Sequence, residues 1–105
     1  MTTKQLEVYS EACNSGIVRM PGRRFPGVVI QGDSLSGLFD HAMTVVEHLS
    51  NSTDKEAFEW ALYLAESLEG HLINYEQTLK KHKIELPFLR DPNRNTKKYR
   101  ISDNA

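Results

Sequence analysis

The chain has 105 residues, 39% of them hydrophobic, and a formal net charge of −1. That length fits one domain with its own core and needs no metal or disulfide staple. The near-zero net charge excludes bulk electrostatics as a guide to a partner. No apolar run approaches the roughly 20 residues needed to span a bilayer.

Charge is nevertheless segregated along the chain. From Asp33 to Leu79 there are nine acids against one base, Lys55; from Lys80 to Arg100 there are eight bases against two acids, Glu85 and Asp91. The sequence is dipolar. Cys13 is the single cysteine, which precludes an internal disulfide and fits a reducing, cytoplasmic compartment. Met1-Thr2-Thr3-Lys4-Gln5 is followed by no apolar stretch of the kind a secretory leader carries.

In chain order, Gln5 to Tyr9 alternates, with Leu6 and Val8 on one face, and predicts a short strand. Asn14-Ser15-Gly16 is a turn signal. Ile17 to Met20 predicts a second strand, antiparallel to the first. Pro21 to Gly27 reads as a loop pinned by its prolines and glycines. Val28 to Gln31 predicts a third strand. It is β-branched and apolar on both faces, which places it at the centre of its sheet.

Gly32 then turns the chain, and Asp33 or Ser34 is expected to cap a helix from about Leu35 to Leu49. Its expected buried stripe is Leu35, Leu38, Phe39, Ala42, Val45, Val46 and Leu49. Thr53 and Glu56 form a capping-box pattern for a second helix reaching about His82. Ala57, Ala61, Leu64, Ala65, Leu68, Leu72, Tyr75 and Leu79 make its stripe. Lys80, Lys81 and Lys83 suit its negative C-terminal end. Ile84 to Phe88, broken by Pro87, is expected to fold back on the core. The expected fold class is therefore α+β: a three-stranded antiparallel sheet followed by two helices (βββαα), with a single domain over residues 1–89. Residues 90–105 read as a polar, basic, flexible C-terminal tail.

Several residue sets invite a functional reading. Gly32-Asp33-Ser34-Leu35 matches the letters of the block found in GDSL-type esterases, where the serine is a nucleophile paired with a histidine held by a carboxylate. No Asp-x-x-His pair stands near the C-terminus, so helix capping accounts for these residues and no catalytic residues are assigned. Arg23 and Arg24 sit in the rigid loop and can grip a phosphate, an acidic partner or an internal carboxylate. With Gln31, Asp33 and Ser34 they form the candidate binding set. His41 and His48 are seven apart, about 10 Å along a helix, too far to share one ion; neither a metal site nor a cofactor is expected. Glu59, Glu66, Glu69 and Glu76 follow helical spacing off the apolar stripe and would steer a basic protein partner, such as a basic toxin. Phe58, Trp60 and Ile73 also fall off that stripe and suggest burial on a second side or a homodimer through this helix. The basic run Arg94 to Arg100 reads as solubilising. Its acidic neighbours argue against nucleic acid.

The string Met20-Pro21-Gly22-Arg23-Arg24-Phe25-Pro26-Gly27-Val28-Val29-Ile30-Gln31-Gly32-Asp33-Ser34-Leu35, with Tyr75-Glu76 and Leu86-Pro87-Phe88, resembles a family of small uncharacterised bacterial proteins. Over residues 25 to 46, Pro26-Gly27, a strand, Gly32-Asp33-Ser34 and a helix are also similar in order to HicB-type antitoxins. That second resemblance implies a sheet-and-helix unit that binds and blocks a toxin, with Pro26, Gly27, Gly32, Asp33 and Ser34 as structural residues. The long acidic helix after Leu49 departs from the DNA-binding segment such antitoxins add. The expected function is a non-enzymatic protein-binding module, an antitoxin or immunity protein. The alternative is a small-molecule or nucleotide sensor using the Arg23-Arg24 loop.

Overall fold

The computed structural model describes residues 1–12 and 14–100. Cys13 and the last five residues of the expected tail lie outside the described residues. The order is three strands, β1 (Glu7–Ser10), β2 (Gly16–Arg19) and β3 (Gly27–Val29), then two helices, α1 (Gly32–Leu49) and α2 (Lys55–Lys81). The fold is α+β, as the sequence indicates, with one antiparallel three-stranded sheet in the order β1-β2-β3.

The position of β3 corrects one expectation. Residues apolar on both faces suggested a central strand, but β2 is central and β3 is an edge. Val28 is 60% exposed and Val29 42% exposed. The apolar composition of β3 therefore does not record burial within this chain.

The helix starts also differ from the sequence reading. The first helical residue is Gly32, after an extended Gln31 (φ −62°, ψ 147°). Asp33 and Ser34 lie inside the first turn rather than before it. Asp33 still takes up a free amide there, its Oδ1 accepting from the Ser34 N–H at 2.9 Å, and its charge suits the positive helix end. For α2 the cap is Asp54, not Thr53: Asp54 Oδ1 accepts from the Ala57 N–H at 3.0 Å. The α2 C-terminus closes by a Schellman arrangement. Ile84 N–H bonds to the Leu79 carbonyl at 2.9 Å and Lys83 N–H to the Lys80 carbonyl at 3.1 Å. Lys83 takes the left-handed position (φ 58°) that usually falls to glycine.

The core lies wholly between the two helices and comprises Leu35, Phe39, Ala42, Met43, Val46, Leu62, Ala65 and Leu72. Phe58, Ala61, Leu68, Phe88 and Tyr99 pack against it. Compared with the expected stripes, Leu38, Val45 and Leu64 are exposed, whereas Met43 and Leu62 are fully buried. Both helices are rotated slightly from the phase their apolar residues suggest. Each has more apolar circumference than one partner helix can cover. Phe88 docks as expected, stacked on Tyr75 with centroids 6.3 Å apart, while Ile84 remains exposed.

Of the segment expected to be a tail, residues 90–100 follow a definite path along the helix pair, ending in a 3-10 turn at Lys97–Tyr99. Composition alone indicated a chain too polar to order itself. What places this arm is charge pairing with acids distant in sequence, together with the buried Thr96 and with Tyr99 packed on the core.

Candidate functional site

Two surfaces carry the candidate residues: an acidic flank of the helix pair, and the corner where the sheet meets it. On the flank, the periodicity of α2 brings Glu59, Glu66, Glu69 and Glu76 to one side. Asp40, Thr44 and Glu47 do the same on α1. The arm lies across both.

Arg94 grips Glu47 bidentately, with Nε–Oε2 and Nη2–Oε1 both at 3.1 Å. It also reaches Thr44 Oγ1 at 3.0 Å and Asp40 Oδ1 at 3.4 Å. Arg100 grips Glu66 in the same way (Nε–Oε2 2.9 Å, Nη2–Oε1 2.8 Å) and donates to Glu59 Oε2 at 2.9 Å. Between them, the buried Thr96 donates its N–H to Glu69 Oε2 at 3.1 Å and its hydroxyl to Glu69 Oε1. Arg90 stands over the Phe39 ring, 4.8 Å from its centroid, with Nε 3.1 Å from Glu76 Oε2. That last pair is an ion contact without hydrogen-bond alignment. Tyr99 meets Phe58 edge to face at 5.9 Å.

All four glutamates singled out in the sequence are thus engaged by the chain's own basic segment. The Arg100 fork holds the Glu66 carboxyl below the ordinary glutamate value, opposing a smaller desolvation effect, and the two glutamates push the Arg100 guanidinium up. The sequence contained the signal for this pairing, an acidic block followed by a basic one, but not the registry that joins them.

The other corner gathers the second set only in part. Arg23, Arg24, Phe25 and Val28 line an open cleft of about 750 Å3 together with His71 of α2. Arg24 lies over the neighbouring Phe25 ring at 5.2 Å. Asp33 and Ser34 are not among the residues lining that cleft. The Ser34 hydroxyl donates to Asn14 Oδ1 at 3.4 Å, tying the start of α1 to the β1–β2 turn. His48 places Nδ1 2.8 Å from the Thr44 carbonyl within its own helix. Trp60 and Ile73 are exposed, whereas Phe58 packs on the core.

A third surface had no separate signal in the sequence. Strand register places Val8, Val18 and Val29 on one face of the sheet. Ile17, Val28 and Ile30 fall on the other, and Val28 and Ile30 share a groove of about 280 Å3 with Leu35, Leu68 and His71. Because Val28 and Ile30 meet the helix residues in that groove, the opposite face, bearing Val8, Val18 and Val29, looks away from the helices.

Fold and surfaces together define a small α+β domain of βββαα order, whose helix pair is clamped by a basic arm. The chain belongs to a family of unknown function, DUF6959, whose model matches residues 1–88. The arm begins just beyond that match. No curated protein and no solved structure matches the chain. Among the described residues no helix is long and apolar enough to cross a membrane.

Proposed function

We propose that this chain is a non-enzymatic protein-binding module, and that it neutralises a toxin as an antitoxin or immunity protein does. The observation that carries the reading is the apolar sheet face of Val8, Val18 and Val29. An apolar face of this kind on a small domain marks a protein contact. The order Pro26-Gly27, strand, Gly32-Asp33-Ser34, helix adds the similarity to HicB-type antitoxins.

The same reading moves the contact surface. A basic toxin approaching Glu59, Glu66, Glu69 and Glu76 would have to displace Arg90, Thr96 and Arg100, whereas the sheet face is open. Co-expression with the product of the adjacent gene tests the proposal. That product is expected to be toxic alone, to be tolerated with this chain present, to co-purify with it, and to lose the contact on Val8→Asp. A product that is harmless alone and does not co-purify removes the reading.

The Arg23-Arg24 cleft supports a second reading, a sensor of an anionic small molecule or nucleotide. Two guanidiniums above a concave surface suit a phosphate group. A thermal-shift screen with phosphorylated metabolites is expected to find a stabilising ligand whose effect is lost in Arg23→Ala and Arg24→Ala. A shift that both variants retain excludes the site.

A further inference from the structure

We infer that β3 pairs antiparallel with β3 of a second copy of this chain, joining two sheets into one of six strands across a two-fold axis. The two edges of the sheet differ in kind. β1 carries Glu7, ion-paired to Arg19, is flanked by Lys4 and Glu11, and shifts register between Val8 and Ser10. Charge and irregularity of this sort are how edge strands avoid unwanted partners. The segment Phe25-Pro26-Gly27-Val28-Val29-Ile30-Gln31 around β3 contains no charge. It is exposed on both faces, Phe25 by 72% and Ile30 by 43%. A residue pattern proper to a central strand, on a strand that is an edge in the single chain, is resolved if β3 becomes central in a pair.

Backbone geometry limits the register. Successive residues of an antiparallel strand direct their N–H and C=O groups alternately to one neighbour and the other. Pairing Val28 with the partner's Val28, and Gly27 with the partner's Val29, sets outward-pointing residues opposite outward-pointing ones. It also overlaps the whole of β3. A slip by one residue breaks this match.

This register alone overlaps all of β3 while keeping its outward groups matched, and an antiparallel self-pairing about Val28 is isologous, as a two-fold axis requires. The inference stands apart from the toxin reading, since the edge and the Val8-Val18-Val29 face are different surfaces.

Sedimentation equilibrium on the full chain is expected to give about twice the chain mass of 12.0 kDa. Val28→Lys and Val28→Asp each set like charges across the axis and are expected to raise the dimer dissociation constant at least about tenfold. Mixing the two variants is expected to restore a dimer, because Lys then faces Asp. Circular dichroism checks that each variant folds. Should a Val28 variant fail to fold, isotope-filtered NMR on half-labelled wild-type protein reads contacts between chains at Gly27–Val29 directly. A monomeric wild type, a dimer indifferent to both Val28 variants, a mixture that stays monomeric, or inter-chain contacts confined to the helices overturns the inference.

Discussion

The Tyr75 ring of α2 lies against Gly32, the first residue of α1, so closely that a β-carbon at Gly32 would overlap the ring. The sequence marks Gly32 as a turn residue. In the fold its missing side chain also lets the two helices meet where the sheet is attached, with Phe88 stacked on the same Tyr75 ring.

Gly32→Ala is therefore expected to destabilise the protein by about 1–3 kcal/mol, the usual cost of forcing an extra carbon into a filled site. Denaturant unfolding measures it. In a Tyr75→Leu background the same substitution is expected to cost much less, and the double-mutant cycle isolates the contact.

Glu69 is the acid in the clamp with a buried partner. Glu69→Ala leaves the Thr96 N–H and hydroxyl without their acceptors, an expected loss of about 1–3 kcal/mol. Hydrogen exchange at the Thr96 amide is expected to accelerate in that variant, well before exchange in the Leu62 and Leu72 region of the core.

The Glu66–Arg100 pair gives the arm a pH dependence. The carboxyl is held below its ordinary value of 4.5 by the guanidinium. A depressed carboxylate contributes stability above its unfolded-state pKa and loses it as pH falls through the lower folded value. The raised Arg100 stays charged throughout and adds no change in this range. Arm resonances followed by NMR are expected to shift toward those of a released segment only below about pH 4.5. The effect on global stability is expected to be small, because the pair is partly exposed and screened by salt.

Lys83 holds a left-handed conformation with φ 58°. Lys83→Gly removes the β-carbon clash of that conformation, and the added freedom of glycine in the unfolded chain offsets part of the gain. The expected net effect is a stabilisation of about 0.5–1 kcal/mol, read as a higher midpoint with an unchanged denaturant slope.

Local signals in the sequence determined the order of elements, the helix lengths to within a few residues, the Gly32 turn and the separation of acidic and basic blocks. Each depends on spacing of a few residues along the chain, which helical and strand periodicity converts directly into a face. Tertiary structure decided which part of a broad apolar stripe is buried: Met43 and Leu62 turn inward while Leu38 and Leu64 turn out, because two helices can cover only their common seam. It also decided that β3 is an edge and that Glu59, Glu66, Glu69 and Glu76 meet Arg90, Thr96 and Arg100. Those relationships join residues up to 41 positions apart. They follow from how the helices dock and where the chain returns, and no short window of sequence contains that geometry.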